Sequence, residues 1–332
     1  MAHIADKYGR KFSTLRVSLL HHCNLGCVYC VAGEDELKQA NVSGKGETLP
    51  GEKLLAMIGR LHTQLRLDTI RLTGGEPLLY PGLAQLIRGI KLLGTSMTSL
   101  TPKTLPTPQI KLTTNGFLLE RLAQPLAAAG LQSINVSLDA VDEDVFFKMS
   151  RRHSADRIIR GIDAALAAGL AVKMNTVVMK GINDSQVLPL AEFAASRGIK
   201  IRFLEVMAMG HLFDQADRYL LTQDEILTIL SGRYALTPLD RAASATARYW
   251  KTSEGQVIGI IANESQPFCQ DCNRLRLDSS GNIYGCLSSN HPIPLSLEES
   301  EAEWGSKLQA AMAQKQALRF TGSDLSMLHI GG

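Results

Sequence analysis

Leu15-Arg16-Val17-Ser18-Leu19-Leu20 runs straight into His21-His22-Cys23-Asn24-Leu25-Gly26-Cys27-Val28-Tyr29-Cys30. The first six residues read as a β-strand with Arg16 and Ser18 on one face, because side chains two apart point the same way. The next ten set three cysteines in a C-x3-C-x2-C spacing at the end of that strand. Five further strand-like runs follow: Asp68–Thr73, Gln109–Thr113, Ser133–Leu138, Ala171–Val178 and Lys200–Glu205. Amphipathic helical patterns separate them over Glu52–Leu65, Leu83–Leu93, Leu118–Ala129, Ala155–Ala168 and Ser185–Ser196. Strands alternating with helices predict repeated βα units, hence an α/β fold with a parallel sheet or partial barrel. Gly94–Pro108 reads as a surface loop, and Val31–Pro50 as a polar segment beside the cysteines.

Parallel strands buried on both faces normally read as continuous apolar runs. Here they alternate. Arg16 and Ser18, Thr69, Arg71 and Thr73, Asn135, Ser137 and Asp139, Lys173 and Asn175, and Arg202 all fall at alternate strand positions. If those faces point inward, the lumen is polar, and Arg16, Arg71, Lys173 and Arg202 are too costly to bury unpaired; any one could reach solvent at a strand end or pair with Asp139 or Glu205, but the whole set implies an anionic ligand. Two turns end strands where α/β folds place their sites: Gly74-Gly75-Glu76-Pro77 and Thr113-Thr114-Asn115-Gly116.

Around Met209–Asp217 the βα rhythm stops. Thr222 and Glu225 form a capping-box pattern that starts a helix. Shorter strand-like runs, Arg248–Lys251, Val257–Ile261 and Arg274–Asp278, lie around a second cysteine group, and a helix is expected from about residue 297 to 318. The division is thus a barrel over residues 1–217 and a smaller α+β unit over 218–332. In Cys272-Asn273-Arg274-Leu275-Arg276-Leu277 the two arginines share one strand face, an arrangement suited to phosphate oxygens.

All six cysteines of the 332-residue chain fall into the two trios, Cys23, Cys27 and Cys30, and Cys269, Cys272 and Cys286. Hydrophobic residues make up 45%, charged residues 20%, and the net charge is +3. That balance argues for neither nucleic acid nor an anionic membrane surface. No apolar run approaches the ~18 residues of a membrane span. With Met1–Lys11 polar, a cytoplasmic, reducing setting is expected, where structural disulfides are disfavoured. Zinc is a rival for either trio, since His21, His22 or His291 could supply a fourth ligand. Three thiolates on a 4Fe–4S cluster would instead leave one iron open to another ligand.

The C-x3-C-x2-C after strand 1, with Tyr29 before its last cysteine, and Gly74–Pro77 after strand 2 resemble the radical S-adenosylmethionine (SAM) superfamily. That resemblance implies a partial (β/α)6, TIM-like barrel of the radical SAM type, with a smaller C-terminal α+β cluster-binding domain. It also implies a 4Fe–4S cluster whose open iron chelates SAM and whose electron cleaves SAM to methionine and a 5′-deoxyadenosyl radical. Within the superfamily the chain is similar, over nearly its whole length, to the GTP 3′,8-cyclases. The most specific match is Cys269-x2-Cys272-Asn273-Arg274-Leu275-Arg276 with Cys286 fourteen positions later. This likeness implies that Cys23, Cys27 and Cys30 hold the SAM cluster, with Tyr29, Gly75, Ser137 and Met207 touching SAM. Cys269, Cys272 and Cys286 would hold a second 4Fe–4S cluster that meets the guanine. Arg16, Arg71, Thr113, Lys173, Arg274, Leu275 and Arg276 would line the GTP site, with Arg202 near it and the Gly331-Gly332 tail reaching in. The implied reaction converts GTP to (8S)-3′,8-cyclo-7,8-dihydroguanosine 5′-triphosphate, the first step of molybdenum cofactor biosynthesis. It would need an external electron donor and hand its product to cyclic pyranopterin monophosphate synthase; a homodimer is compatible with the family.

The chain departs from that family at several places. Thr69 stands where a lysine is usual, His21-His22 replaces Thr-Asp, Gly26 replaces an arginine, and Val31-Ala32 replaces Met-Pro. A different two-cluster radical SAM enzyme, such as one acting on a peptide, is the alternative reading. A non-catalytic zinc protein is the remote one; two zinc sites would explain neither the Gly-Gly-Glu-Pro turn nor the cationic strand faces.

Overall fold

A computed structural model describes residues 4–36, 38, 48–93 and 105–330. Gly331, Gly332, most of the Gly94–Pro108 loop and part of the Val31–Pro50 segment lie outside the described residues. Among the described residues twelve strands form one sheet. Its centre is six parallel neighbours: β1 (Thr14–Ser18), β2 (Thr69–Thr73), β3 (Gln109–Thr114), β4 (Ser133–Ser137), β5 (Ala171–Val178) and β6 (Lys200–Glu205). Helices over Gly51–Leu65, Leu83–Leu92, Leu119–Ala129, Ala155–Ala167 and Val187–Ser196 connect them. These are the βα units that the sequence alternation predicts.

Each central strand puts one row of apolar side chains under the helices. Leu15 and Val17, Ile70 and Leu72, Ile110 and Leu112, Ile134 and Val136, and Ile201 and Phe203 are all buried there. The polar residues between them fall on the opposite face, and so line the barrel lumen. Burying the apolar row drives the register, because a one-residue slip would turn the cations into the core.

The C-terminal third adds strands to both edges of this sheet. β10 (Arg274–Leu277) pairs parallel with β1, and β11 (Asn282–Tyr284) and β12 (Ile293–Pro294) extend it antiparallel. At the other edge β9 (Val257–Ile261) pairs parallel with β6, followed by β8 (Arg248–Thr252) and β7 (Leu236–Leu239). The Thr222–Glu225 capping box is present. The C-terminal helix is shorter than expected, Glu301–Ala313, because Ser300 and Glu303 form a second capping box that sets its start. The helix Glu143–Ser150 has no counterpart in the sequence expectations; the Asp142 carboxylate caps it by accepting the Val145 N–H at 2.9 Å.

Candidate active site

The loop after β1 carries the first trio into the mouth of the barrel. Cys23, Cys27 and Cys30 line one cavity with Tyr29, Gly74, Gly75, Thr113 and Ser137. The loop is held from three sides. The Gly26 and Val28 N–H groups donate to the Ser150 and Met149 carbonyls at the end of helix Glu143–Ser150. Arg151 donates to the Gly26, Val31 and Ala32 carbonyls at 2.8–3.0 Å. The Gly75 and Glu76 N–H groups donate to the Leu20 and His22 carbonyls at 2.7 and 3.0 Å.

The glycines of this turn admit neighbouring chain as well as a ligand. A Cβ on Gly75 would sit 2.2 Å from the His22 carbonyl oxygen. Gly75→Ala must therefore displace the loop that carries Cys23. Its expected cost is about 3 kcal/mol, near the top of the usual range, read as a lower anaerobic Tm together with reduced iron retention. Glu76, fully buried, ties the turn to the next one: its carboxylate accepts from the Leu78 N–H, the Thr114 hydroxyl and the Asn115 N–H at 2.5–2.9 Å. Burial pushes its pKa up to about 7 although these donors oppose the shift.

Among the described residues no cysteine is joined in a disulfide. In the first trio burial pushes Cys23 up to about 12, and burial together with neighbouring negative groups, the other thiolates among them, raises Cys27 and Cys30. Three such groups facing one cavity become thiolates only against compensating positive charge. Among the described residues no His, Cys, Asp or Glu group is set closely enough to hold a single metal ion. Tyr29 donates its hydroxyl to Asp139 at 2.9 Å, and Asp139 also accepts the Val177 N–H. Burial pushes Asp139 up to about 6.

The second trio sits at the opposite end of the strands. Cys272 lies two residues before Arg274, which begins β10, whereas Cys23 lies beyond the C-terminal end of the parallel strand β1. A strand of this length separates them by roughly 15 Å. Burial raises Cys269, with Cys286 and Cys272 adding to it. Burial also acts to raise Cys272, but Arg274 and Lys315 outweigh it and bring the thiol down to about 7. Lys315 donates its ammonium to Cys272 Sγ at 3.1 Å, and the Ser288 hydroxyl lies 3.2 Å from Cys286 Sγ.

Between the trios lie the cations. Across adjacent strands Arg276 pairs with Arg16, Arg16 with Arg71, and Arg71 with Lys111. Arg202 on β6 pairs with Asn175 and donates to its side-chain oxygen at 2.9 Å. Burial drives the Arg16 pKa well down, and Arg276, Arg71, Arg274 and Arg202 push the same way. Arginine does not realistically give up its proton, so the row stays positively charged. Burial first, then Arg202, Lys200, Lys111 and Arg71, bring Lys173 down to about 8.

Tyr29, Gly75, Ser137 and Thr113 thus share the cavity with the first trio. Met207 does not line it; it packs against the cluster of Met209, Tyr284, Phe320 and Ile330. Leu275 is fully buried and pairs with Leu15, which leaves only its main chain for a ligand. The C-terminal residues Met327 and Leu328 form part of the cavity wall, and the Ile330 carbonyl accepts from Arg276 at 3.4 Å. Lys111, Arg151 and Lys315 are absent from the sequence-based candidates. Lys111 was accessible from the Ile110-Lys111-Leu112-Thr113 alternation, whereas Arg151 and Lys315 act through contacts more than 40 residues apart that no local pattern carries.

The radical SAM superfamily profile matches residues 17–194, and a Molybdenum Cofactor Synthesis C profile matches residues 199–320. A GTP 3′,8-cyclase from Synechocystis sp. is 35% identical over 329 residues, covering 99% of this chain and 95% of that protein. One from Corynebacterium glutamicum is 37% identical over 301 residues, covering 88% and 77%. Among solved structures, Streptococcus suis SuiB bound to precursor peptide SuiA superposes with a TM-score of 0.64 at 13% identity, covering 92% of this chain and 68% of that one. Native anSMEcpe with bound AdoMet gives 0.58 at 15% identity, covering 87% and 79%. At such identities these two speak for the fold alone. The full-length match to the cyclases, joined to a lumen with a cysteine trio at either end, places the chain in the GTP 3′,8-cyclase family of the radical SAM superfamily.

Proposed function

We propose that the protein is a GTP 3′,8-cyclase acting at the first step of molybdenum cofactor biosynthesis. The observation that carries this reading is the row of cations across β10, β1 and β2, set between two cysteine trios at opposite ends of the lumen. A triphosphate supplies the negative charge such a row calls for, and guanidinium forks match its oxygens. When bound, a 4Fe–4S cluster on Cys23, Cys27 and Cys30 together with SAM supplies a 5′-deoxyadenosyl radical. Tyr29, Gly75 and Ser137, which share the cavity, are assigned to SAM; Met207, given that role by the resemblance, lies outside that cavity. Arg16, Arg71, Thr113, Lys173, Arg274, Arg276 and the Leu275 main chain are assigned to GTP, with Arg202 beside them. Cys269, Cys272 and Cys286 would hold the second cluster near the base. In this reading residues 1–217 generate the radical and residues 218–332 contribute to holding the substrate, with Met327 and Leu328 forming part of the cavity wall. An external one-electron donor and a downstream cyclic pyranopterin monophosphate synthase are the partners the chemistry requires. No described helix is long and apolar enough to cross a membrane.

The test is anaerobic reconstitution with SAM, reductant and GTP. Cyclised GTP is expected alongside 5′-deoxyadenosine; 5′-deoxyadenosine with no cyclised nucleotide would sink the substrate assignment. A pH effect follows from Lys173. Its pKa, brought down to about 8 by burial and then Arg202, must rise when a polyphosphate arrives. Binding therefore takes up a proton above that pH, and GTP affinity should weaken through the alkaline range by up to about tenfold per pH unit. Lys173→Arg, which keeps its charge there, should flatten that part of the profile. A wild-type Kd independent of pH between 7.5 and 9.5, roughly bracketing that value, would contradict it.

A further inference from the structure

The cation row does not stop at the arginines assigned to GTP. Lys111 is the in-register neighbour of Arg71 on β3, and it shares a face with Thr113, which lines the cavity. Arg276, Arg16, Arg71 and Lys111 thus occupy four adjacent strands at one level. With strands about 4.8 Å apart, the row spans roughly 14 Å of lumen wall. Thr69, two residues before Arg71, is neutral and pairs with the equally neutral Gln109, so nothing lower on these two strands adds positive charge. Among the described residues Lys111 makes no salt bridge. Placing an ammonium beside Arg71 with no acid to neutralise it raises the energy of the empty protein.

We propose that Lys111 binds the terminal phosphate of the nucleotide and makes the site selective for a triphosphate over a diphosphate. This rests on the cyclase reading, which puts the base near Cys272 at the β10 side of the row. A polyphosphate leaving that side crosses Arg276, Arg16 and Arg71 in turn and meets Lys111 last. The direction of the electrostatics agrees: burial lowers the Lys111 pKa, with Arg71 and then Arg202 adding to the pressure. Lys111 in turn depresses Lys173, so the two lysines lie in the same positive field. The lysine remains partly accessible, which suits a group that meets the outer end of a ligand rather than one packed in the core.

The experiment compares GTP and GDP binding to anaerobically reconstituted wild type, Lys111→Met and Lys111→Arg. Lys111→Met is expected to weaken GTP by about 10- to 100-fold and GDP by less than threefold or so, and Lys111→Arg to restore most of the GTP affinity. Methionine keeps the stem length, and SAM cleavage without nucleotide reports that the fold and first cluster survive. Unchanged GTP affinity in Lys111→Met overturns the proposal. Equal losses for GTP and GDP overturn the terminal-phosphate assignment. A wild type that cleaves SAM yet binds neither nucleotide defeats the cyclase reading itself, and is thereby distinguished from failure of Lys111 alone.

Discussion

Under the proposal that each trio holds one 4Fe–4S cluster, Cys27→Ala, purified and reconstituted without oxygen, is expected to hold about half the wild-type iron and sulfide. Its 5′-deoxyadenosine formation should fall by more than about 100-fold, beyond the cost typical of removing a group that only supports a ligand. The loop should survive the change. The contacts that shape it there are main-chain ones, with the Cys30 and Val31 N–H groups both donating to the Cys27 carbonyl. What disappears is a buried thiol that Cys23 and Cys30 repel and that only positive charge can keep ionised. Two remaining thiolates do not retain a cubane against solvent. The matching substitution at the other end, Cys272→Ala, should also halve the iron yet leave SAM cleavage nearly intact while abolishing the cyclised product. That asymmetry carries the weight of the test. Full iron in Cys27→Ala would remove the first trio from the cluster, and equal loss of SAM cleavage in both variants would show that the trios do not have separate tasks.

Much of this arrangement was legible in the sequence because it is written in short-range patterns. The strand alternation at Leu15-Arg16-Val17 or Met174-Asn175-Thr176 reports on two faces at once, and the buried apolar face fixes where the polar one must point. The six central strands and five of the connecting helices follow from that signal. The shared sheet was not legible. The pairing of β10 with β1 and of β9 with β6 joins residues more than 50 positions apart, and nothing in Arg274–Leu277 or Val257–Ile261 names its neighbour. The same distance hid the supporting residues. Arg151 follows a helix whose capping aspartate, Asp142, stands in an otherwise weak pattern, and it reaches back across some 120 positions to Gly26, Val31 and Ala32. Lys315 reads as an ordinary charge after a helix until the fold sets it on Cys272. Leu275 shows the converse limit: resemblance puts it among substrate residues, and only the pairing with Leu15 reveals that its side chain belongs to the core.

Arg71→Met should separate binding from stability in opposite directions. GTP affinity is expected to fall by about 2–4 kcal/mol, roughly 30- to 1,000-fold, the range for removing one member of a hydrogen-bonded charge pair. The empty protein, however, should melt higher. Arg71 lowers the pKa of Arg16, Lys111 and Lys173, so one positive charge raises the cost of three others. Its own contacts are modest: Nη1 donates to the Leu112 carbonyl at 3.3 Å and the Thr113 hydroxyl at 3.2 Å. Methionine fills similar volume without charge, and relief of about 1 kcal/mol of repulsion would raise Tm by about 2 °C in a chain of this size. Added GTP, or a non-hydrolysable analogue, should then reverse the ranking, since ligand stabilises wild type by RT ln(1 + [L]/Kd) and the variant scarcely at all. If Arg71 instead serves the fold, the variant melts lower with and without nucleotide, and its affinity changes little. The crossing of the two melting curves is the signature of a lumen whose charge is tolerated only because a polyphosphate will occupy it, the usual trade of stability for function at a binding site.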